Sequence, residues 1–191
     1  MLEREIEFKN LLNEEDYQKV YNHFSLEGEP TINNSNYYYE TVDFSLRRVG
    51  AALRIRHTDS KSELTLKIKK EKENLEYTVP WEAGFVPDTL IQINLPDVIS
   101  QQLSEFEILG ELVLIQKIQT ERKERHISSG RIILDKTYFL GNMIDYELEF
   151  EVEDYESGKV AFENLLMELE IEKEEAQPKI ARAFAYKKSS K

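Results

Sequence analysis

The sequence predicts an α+β fold, an eight-stranded antiparallel β-barrel with flanking helices. Three observations predict it. Stretch after stretch alternates apolar and charged residues with the two-residue period of a strand. Short polar segments, residues 58–62 and 128–130, lie between such stretches at hairpin spacing. Two amphipathic segments, residues 14–24 and 157–169, read as helices that need an apolar surface to cover.

The first strand sets the theme. Over residues 2–9, Glu3, Glu5, Glu7 and Lys9 share one face, while Leu2, Arg4, Ile6 and Phe8 share the other. Three carboxylates in a row repel one another, and a hard divalent cation reverses the sign of that repulsion. Asn13 then caps a helix whose first turn is acidic and whose Tyr17, Val20, Tyr21 and Phe24 recur at helical spacing.

Residues 36–41 have strand propensity, and residues 43–48 make a helical turn closed by Gly50. Residues 51–57 send Leu53 and Ile55 one way, Arg54 and Arg56 the other. Residues 63–69 repeat this, with Leu64, Leu66 and Ile68 opposite Glu63, Thr65, Lys67 and Lys69. A hairpin places two arginines and two lysines on one face, an arrangement that favours a bound anion.

Residues 75–79 form a further strand, residues 80–97 with their three prolines are irregular, and residues 98–106 are helical before Gly110. Residues 112–118 are apolar and run into a charged stretch in which Thr120 and Arg122 share a face. Residues 131–135 bury Ile132 and Leu134. Residues 145–151 mirror the first strand: Tyr146, Leu148 and Phe150 on one face, Asp145, Glu147, Glu149 and Glu151 on the other. Ser157 caps a helix with the stripe Val160, Leu165, Leu166 and Leu169. Pro178 opens the last helix at its first position, with Lys179 and Arg182 on one side and residues 187–191 frayed.

Composition narrows the class. The 191 residues fit a single domain over 1–191, and 40% apolar content supports a core. A net charge of −12 repels nucleic acid and anionic membrane, so an anionic ligand must meet a local basic concentration. With no cysteine, no signal segment and no apolar span, a soluble cytoplasmic protein is expected. His23, His57 and His126 are scattered and support neither a histidine metal site nor a Ser-His-Asp triad. Trp81 reads as packing, and residues 172–175 as a solvated turn. Two arrangements fit the alternation: the charged faces form the outside, or they line a wet tunnel while helices cover the apolar faces. The amphipathic helices favour the tunnel.

Glu5-Ile6-Glu7-Phe8-Lys9 resembles the ExExK signature of the CYTH proteins, the triphosphate tunnel metalloenzymes. Leu53-Arg54-Ile55-Arg56, Leu66-Lys67, Thr120-x-Arg122, Glu147-Leu148-Glu149 and Lys179 follow in that family's order, and the resemblance covers residues 1–186. It is closest to small stand-alone bacterial members. It implies an eight-stranded tunnel that binds a triphosphate with Mg2+ or Mn2+. Glu5, Glu7, Glu147 and Glu149 would be metal ligands; Lys9, Arg54, Arg56, Lys67, Arg122 and Lys179 would hold phosphate oxygens. Lys9, Glu147 and Glu149 would be catalytic. Lys69 and Arg182 are weaker matches for substrate binding, as are Arg125 and Glu151 for the site in general. Glu40, in a stretch where the family often has Asp, has no assigned role.

The implied function is a metal-dependent triphosphatase, a phosphoanhydride hydrolase acting on inorganic triphosphate or a related short polyphosphate or organic triphosphate. Class IV-type adenylate cyclase and a non-catalytic polyphosphate-binding protein are the alternatives; the latter would not need the four carboxylates. The partner is a small-molecule triphosphate, with no long nucleic acid and no membrane, and a homodimer is left open.

Overall fold

A computed structural model describes residues 2–189. The strands are β1 (Leu2–Leu12), β2 (Ile32–Glu40), β3 (Ala51–His57), β4 (Ser62–Lys69), β5 (Asn74–Pro80), β6 (Thr89–Ile91), β7 (Glu111–Ile127), β8 (Gly130–Tyr138) and β9 (Ile144–Val152). The helices are α1 (Glu14–His23), α2 (Ser45–Arg48), α3 (Asp97–Glu105), α4 (Tyr155–Glu168) and α5 (Lys179–Ser189). The hydrogen-bonded order is β2-β3-β4-β5-β1-β9-β8-β7-β6, and β2 also pairs with β7. The eight longer strands are thus the expected antiparallel barrel, with β6 as an additional strand beside β7.

The chain forms two compact units, residues 1–4 with 35–117 and residues 5–34 with 118–191. In the first, β3 pairs with β4 so that Leu53 faces Leu66 and Ile55 faces Leu64. Their apolar face packs with Leu46 of α2, Ile99 and Leu103 of α3, and Leu90 and Leu95. In the second, Leu12, Ile132, Leu134, Leu148 and Phe150 pack against Val20 of α1 and Phe162, Leu165 and Leu166 of α4. In each unit helices therefore cover the apolar strand face, as the amphipathic pattern requires.

Local chemistry explains where elements begin. Asn13 Oδ1 accepts the Asp16 amide at 2.8 Å, satisfying one orphan donor of α1. Helix α4 starts two residues before the expected cap. Asp154 Oδ1 accepts both the amide and the hydroxyl of Ser157, so Asp154 is the cap and Ser157 lies inside. Val160 is 58% exposed rather than buried, and Phe162 takes its place on the inner stripe. Gly158 lets α4 close on β9: a Cβ there would sit 2.4 Å from Val152 Cγ2. Pro178 immediately precedes α5 and its carbonyl accepts the Ala181 and Arg182 amides, so it stands one position earlier than expected. Helix α5 runs to Ser189; of the expected frayed segment, residues 190–191 lie outside the described residues.

Two further differences matter. The irregular stretch 80–97 contains β6, whose Leu90 pairs with Leu112. Residues 172–175 are exposed, as expected, but their backbone is tied down. The buried Asn10 donates to Glu172 O at 2.9 Å and accepts the Glu174 amide at 2.7 Å, while the Leu11 amide donates to Glu174 O. That strap fixes the segment leading into α5.

Candidate active site

The strands of the second unit bring the acidic motif residues together by register. Across β1 and β9, Glu7 stands opposite Glu151, Lys9 opposite Glu149, and Leu11 opposite Glu147. Across β9 and β8, Glu147 stands opposite Asp135; across β8 and β7, Asp135 stands opposite Arg122. Period-two alternation puts all these polar groups on the face away from α1 and α4. That face is not outer surface: Glu147 is 1% exposed, Glu149 3% and Asp135 0%. The fully buried Ile133 lies on the same face between Arg131 and Asp135 and contributes an apolar floor.

Lys9 Nζ lies 2.9 Å from Glu7 Oε2, 3.2 Å from Glu149 Oε1 and 3.8 Å from Glu147 Oε1. From α5, Lys179 Nζ reaches Glu149 Oε1 at 2.7 Å, Glu147 Oε1 at 2.9 Å and Asp135 Oδ2 at 2.9 Å. Arg122 donates from Nε and Nη2 to the two oxygens of Asp135 and from Nη2 to Glu149 Oε2. This paired fork suits a guanidinium and would not suit a lysine. Arg182 reaches Asp145 and Glu147, and Arg131 donates to Glu151.

Burial alone would discharge Lys9 and Lys179. For Lys9, the charges of Glu149, Glu7 and Glu147 outweigh burial and hold its pKa well above the ordinary lysine value. For Lys179, Asp135, Glu147 and Glu149 do the same. Burial would also neutralise Glu149, yet Lys179, Lys9 and Arg122 keep its pKa well below the carboxylate range. Glu147 goes the other way: burial and the adjacent Glu149 raise it, so it takes a proton first. The cluster thus presents protonated lysines beside one firmly ionised and one more basic carboxylate.

Glu5, Glu7 and Glu151 form an acidic group that adjoins this cluster through Lys9. Each offers a carboxylate oxygen, and these oxygens lie within 4.8 Å of one another. An all-oxygen donor set fits a hard divalent cation. Glu5 and Glu7, two of the four expected ligands, stand in this trio with Glu151, while Glu147 and Glu149, the other two, lie beside Lys9 and Lys179.

The first unit carries the other predicted cations. Arg54, Arg56 and Lys67 lie on the non-core face of β3 and β4. Arg56 Nε donates to Asn36 Oδ1 at 2.8 Å, and Lys67 Nζ pairs with Glu76 Oε1 at 3.1 Å. Lys69, at the end of β4, is exposed. Arg125 lies on the opposite face of β7 from Arg122 and donates to the Phe24 carbonyl at the end of α1, which is a fold contact. Glu40 is 5% exposed and accepts the amides of Thr41, Leu46 and Arg47, so it caps α2. Trp81 donates to Phe85 O and packs on the first unit's core, as a packing residue.

Sequence reasoning missed Asp135, the buried partner of both Arg122 and Lys179. Ile133 breaks the polar alternation of β8 and hides the motif. Asp145 was on the expected acidic face, but nothing in the sequence tied it to Arg182.

The model of the CYTH domain family matches residues 3–184. The chain belongs to the CYTH family. A Bacillus subtilis (strain 168) protein, YjbK, which carries the provisional name of triphosphatase, is 33% identical over 190 residues, covering 98% of each chain. Among solved structures, a Bacillus halodurans protein provisionally named an adenylate cyclase matches with TM-score 0.84 and 27% identity, over 96% of this chain and 98% of its own. A Hippeastrum protein, HpAC1, matches with TM-score 0.74 and 23% identity over 95% of each chain, a likeness of fold. Among the described residues, no helix is long and apolar enough to cross a membrane.

Proposed function

We propose that this chain is a metal-dependent triphosphatase that releases orthophosphate from inorganic triphosphate or a related short polyphosphate. The observation that carries the reading is the cluster in which the partly buried Lys9, Lys179 and Arg122 surround the buried Glu147, Glu149 and Asp135. Burying so many charges together costs several kcal/mol per ion unless each is paired, so such a site is rarely kept for stability alone. Its cations are the groups that neutralise phosphate oxygens, and its carboxylates, which a plain anion-binding protein would not need, favour the enzyme.

Glu5, Glu7 and Glu151 would hold Mg2+ or Mn2+ through carboxylate oxygens. Bound there, the metal would supply Lewis-acid polarisation of phosphate and a more acidic water. Lys9 and Lys179, both kept protonated by their carboxylate neighbours, donate to phosphate oxygens and stabilise charge that spreads in the transition state. Arg122, fixed by its fork on Asp135, orients the same group. In the first unit, Arg54, Arg56 and Lys67 are further cations suited to phosphate oxygens. Glu147, the more basic carboxylate, is the proton holder of the set.

The kinship with YjbK supports hydrolysis, and the name of the Bacillus halodurans protein supplies the competing product. Incubation with inorganic triphosphate, thiamine triphosphate or ATP and Mg2+ or Mn2+ separates them. Orthophosphate from inorganic triphosphate supports the proposal; cyclic AMP from ATP, with inorganic triphosphate left intact, defeats it.

A further inference from the structure

Arg182 falls among the residues that the family pattern associates with substrate, but its surroundings differ from those of Lys9 or Lys179. It is 5% exposed, and the protein engages all three of its nitrogens. Nε donates to Asp145 Oδ2 at 2.8 Å, Nη1 to the Gln177 carbonyl at 2.5 Å, and Nη2 lies 2.5 Å from Glu147 Oε2. Nη2 also lies 3.4 Å from Asp145 Oδ1. The Phe139 ring covers the guanidinium at 6.0 Å and meets the Tyr186 ring edge-on at 5.0 Å. The Tyr186 hydroxyl donates to Asp145 Oδ2 at 3.1 Å.

A cavity of about 260 Å³ adjoins Asp145 and Tyr186 and is lined by Asp16, Glu172 and Glu174. Those acids repel an anion arriving from that side. The guanidinium therefore lies between two carboxylates of β9, with an aromatic wall beside it and an acidic cavity beyond Asp145 and Tyr186.

We propose that Arg182 is a positioning residue, not a substrate contact: with Asp145 and Tyr186 as its support, it clamps Glu147 Oε2 and so turns Glu147 Oε1 toward Lys179. The idea rests on the triphosphatase reading. One turn of α5 links the two cations, since Lys179 precedes Arg182 by three residues. The clamp on Glu147 thus also seats the lysine that shares its other oxygen at 2.9 Å. A lysine at position 182 would keep the charge but could not span both carboxylates, because its ammonium is a point donor and the guanidinium a planar fork.

The test uses the full chain, with Arg182→Lys and Tyr186→Phe beside wild type and thermal unfolding as the check on folding. Turnover of inorganic triphosphate with Mg2+ is one readout; calorimetric binding of inorganic triphosphate in EDTA is the other. Arg182→Lys should lower kcat about 10–100-fold while its Kd in EDTA stays within about twofold of wild type. Tyr186→Phe, which removes one hydroxyl on the Asp145 side, should lower kcat by a smaller factor with the same unchanged Kd. Binding weakened about tenfold or more in EDTA by Arg182→Lys makes Arg182 a substrate contact and overturns the assignment. Unchanged kcat in Arg182→Lys overturns it equally. A wild-type protein that neither binds nor hydrolyses inorganic triphosphate removes the triphosphatase reading itself, whatever the variants do.

Discussion

Lys9 of β1 and Glu149 of β9 face each other across the sheet, Nζ to Oε1 at 3.2 Å, and each holds the other in its charged form. Coupling of this kind predicts that neither charge can be removed quietly. Lys9→Met should reduce kcat for inorganic triphosphate by about 100-fold or more, the scale set by loss of one aimed donor to developing charge. Steady-state kinetics with a folding control checks it; kcat within a factor of about two would release Lys9 from its role.

Metal binding should depend on Glu5, Glu7 and Glu151 as a set. Glu7→Gln or Glu151→Gln should weaken Mn2+ binding, read by titration without substrate, by about tenfold or more, since each removes one charged oxygen donor. EDTA should abolish turnover, and added Mg2+ or Mn2+ should restore it. Equal Mn2+ affinity in both variants would move the metal elsewhere.

The strap between Asn10 and the segment before α5 predicts a linked loss of stability and activity. Asn10→Ala removes the side chain's bonds to Leu11 O, Glu172 O and the Glu174 amide. Leaving such buried groups unsatisfied costs about 1–3 kcal/mol. Denaturant unfolding should show that loss, and kcat should fall because the strap leads into the helix that carries Lys179. A stable, fully active variant would mean that the segment is held without Asn10.

Glu76 sets an acid limit on stability. Burial would raise its pKa, but Lys67 and Arg54 outweigh that and bring it to about 2. A lowered folded-state value stabilises above the unfolded pKa and is lost as pH falls through the folded one. Between the ordinary carboxylate value and about pH 2, roughly 3 kcal/mol should therefore disappear. Glu76→Gln should be less stable at neutral pH and converge with wild type near pH 2, as measured by unfolding at several pH values. Parallel curves would show that Glu76 gains nothing from its cations.

Much of this was legible in the sequence, for one physical reason: a strand writes its two faces in alternate residues. Alternation alone places Glu5, Glu7 and Lys9 on one face, and does the same for Arg54 with Arg56 and for Glu147 with Glu149. What could not be read was anything decided by partners distant in the chain. Asp135 is hidden by Ile133, Glu40 becomes a cap only once α2 folds back onto it, and the strap at 172–175 depends on Asn10. Arg125 looked like a site cation because composition does not report register; its odd position puts it on the opposite face from Arg122. Ser157 lost the cap to Asp154 because two capping residues stood three apart and the sequence could not rank them.

The most direct test is orthophosphate release from inorganic triphosphate, with and without Mg2+ or Mn2+, by wild type and by the double variant Glu147→Gln, Glu149→Gln. The account predicts metal-dependent release by wild type, and none by the double variant, which should still bind the anion. Undiminished release by the double variant, or no release by wild type with either metal, would contradict it.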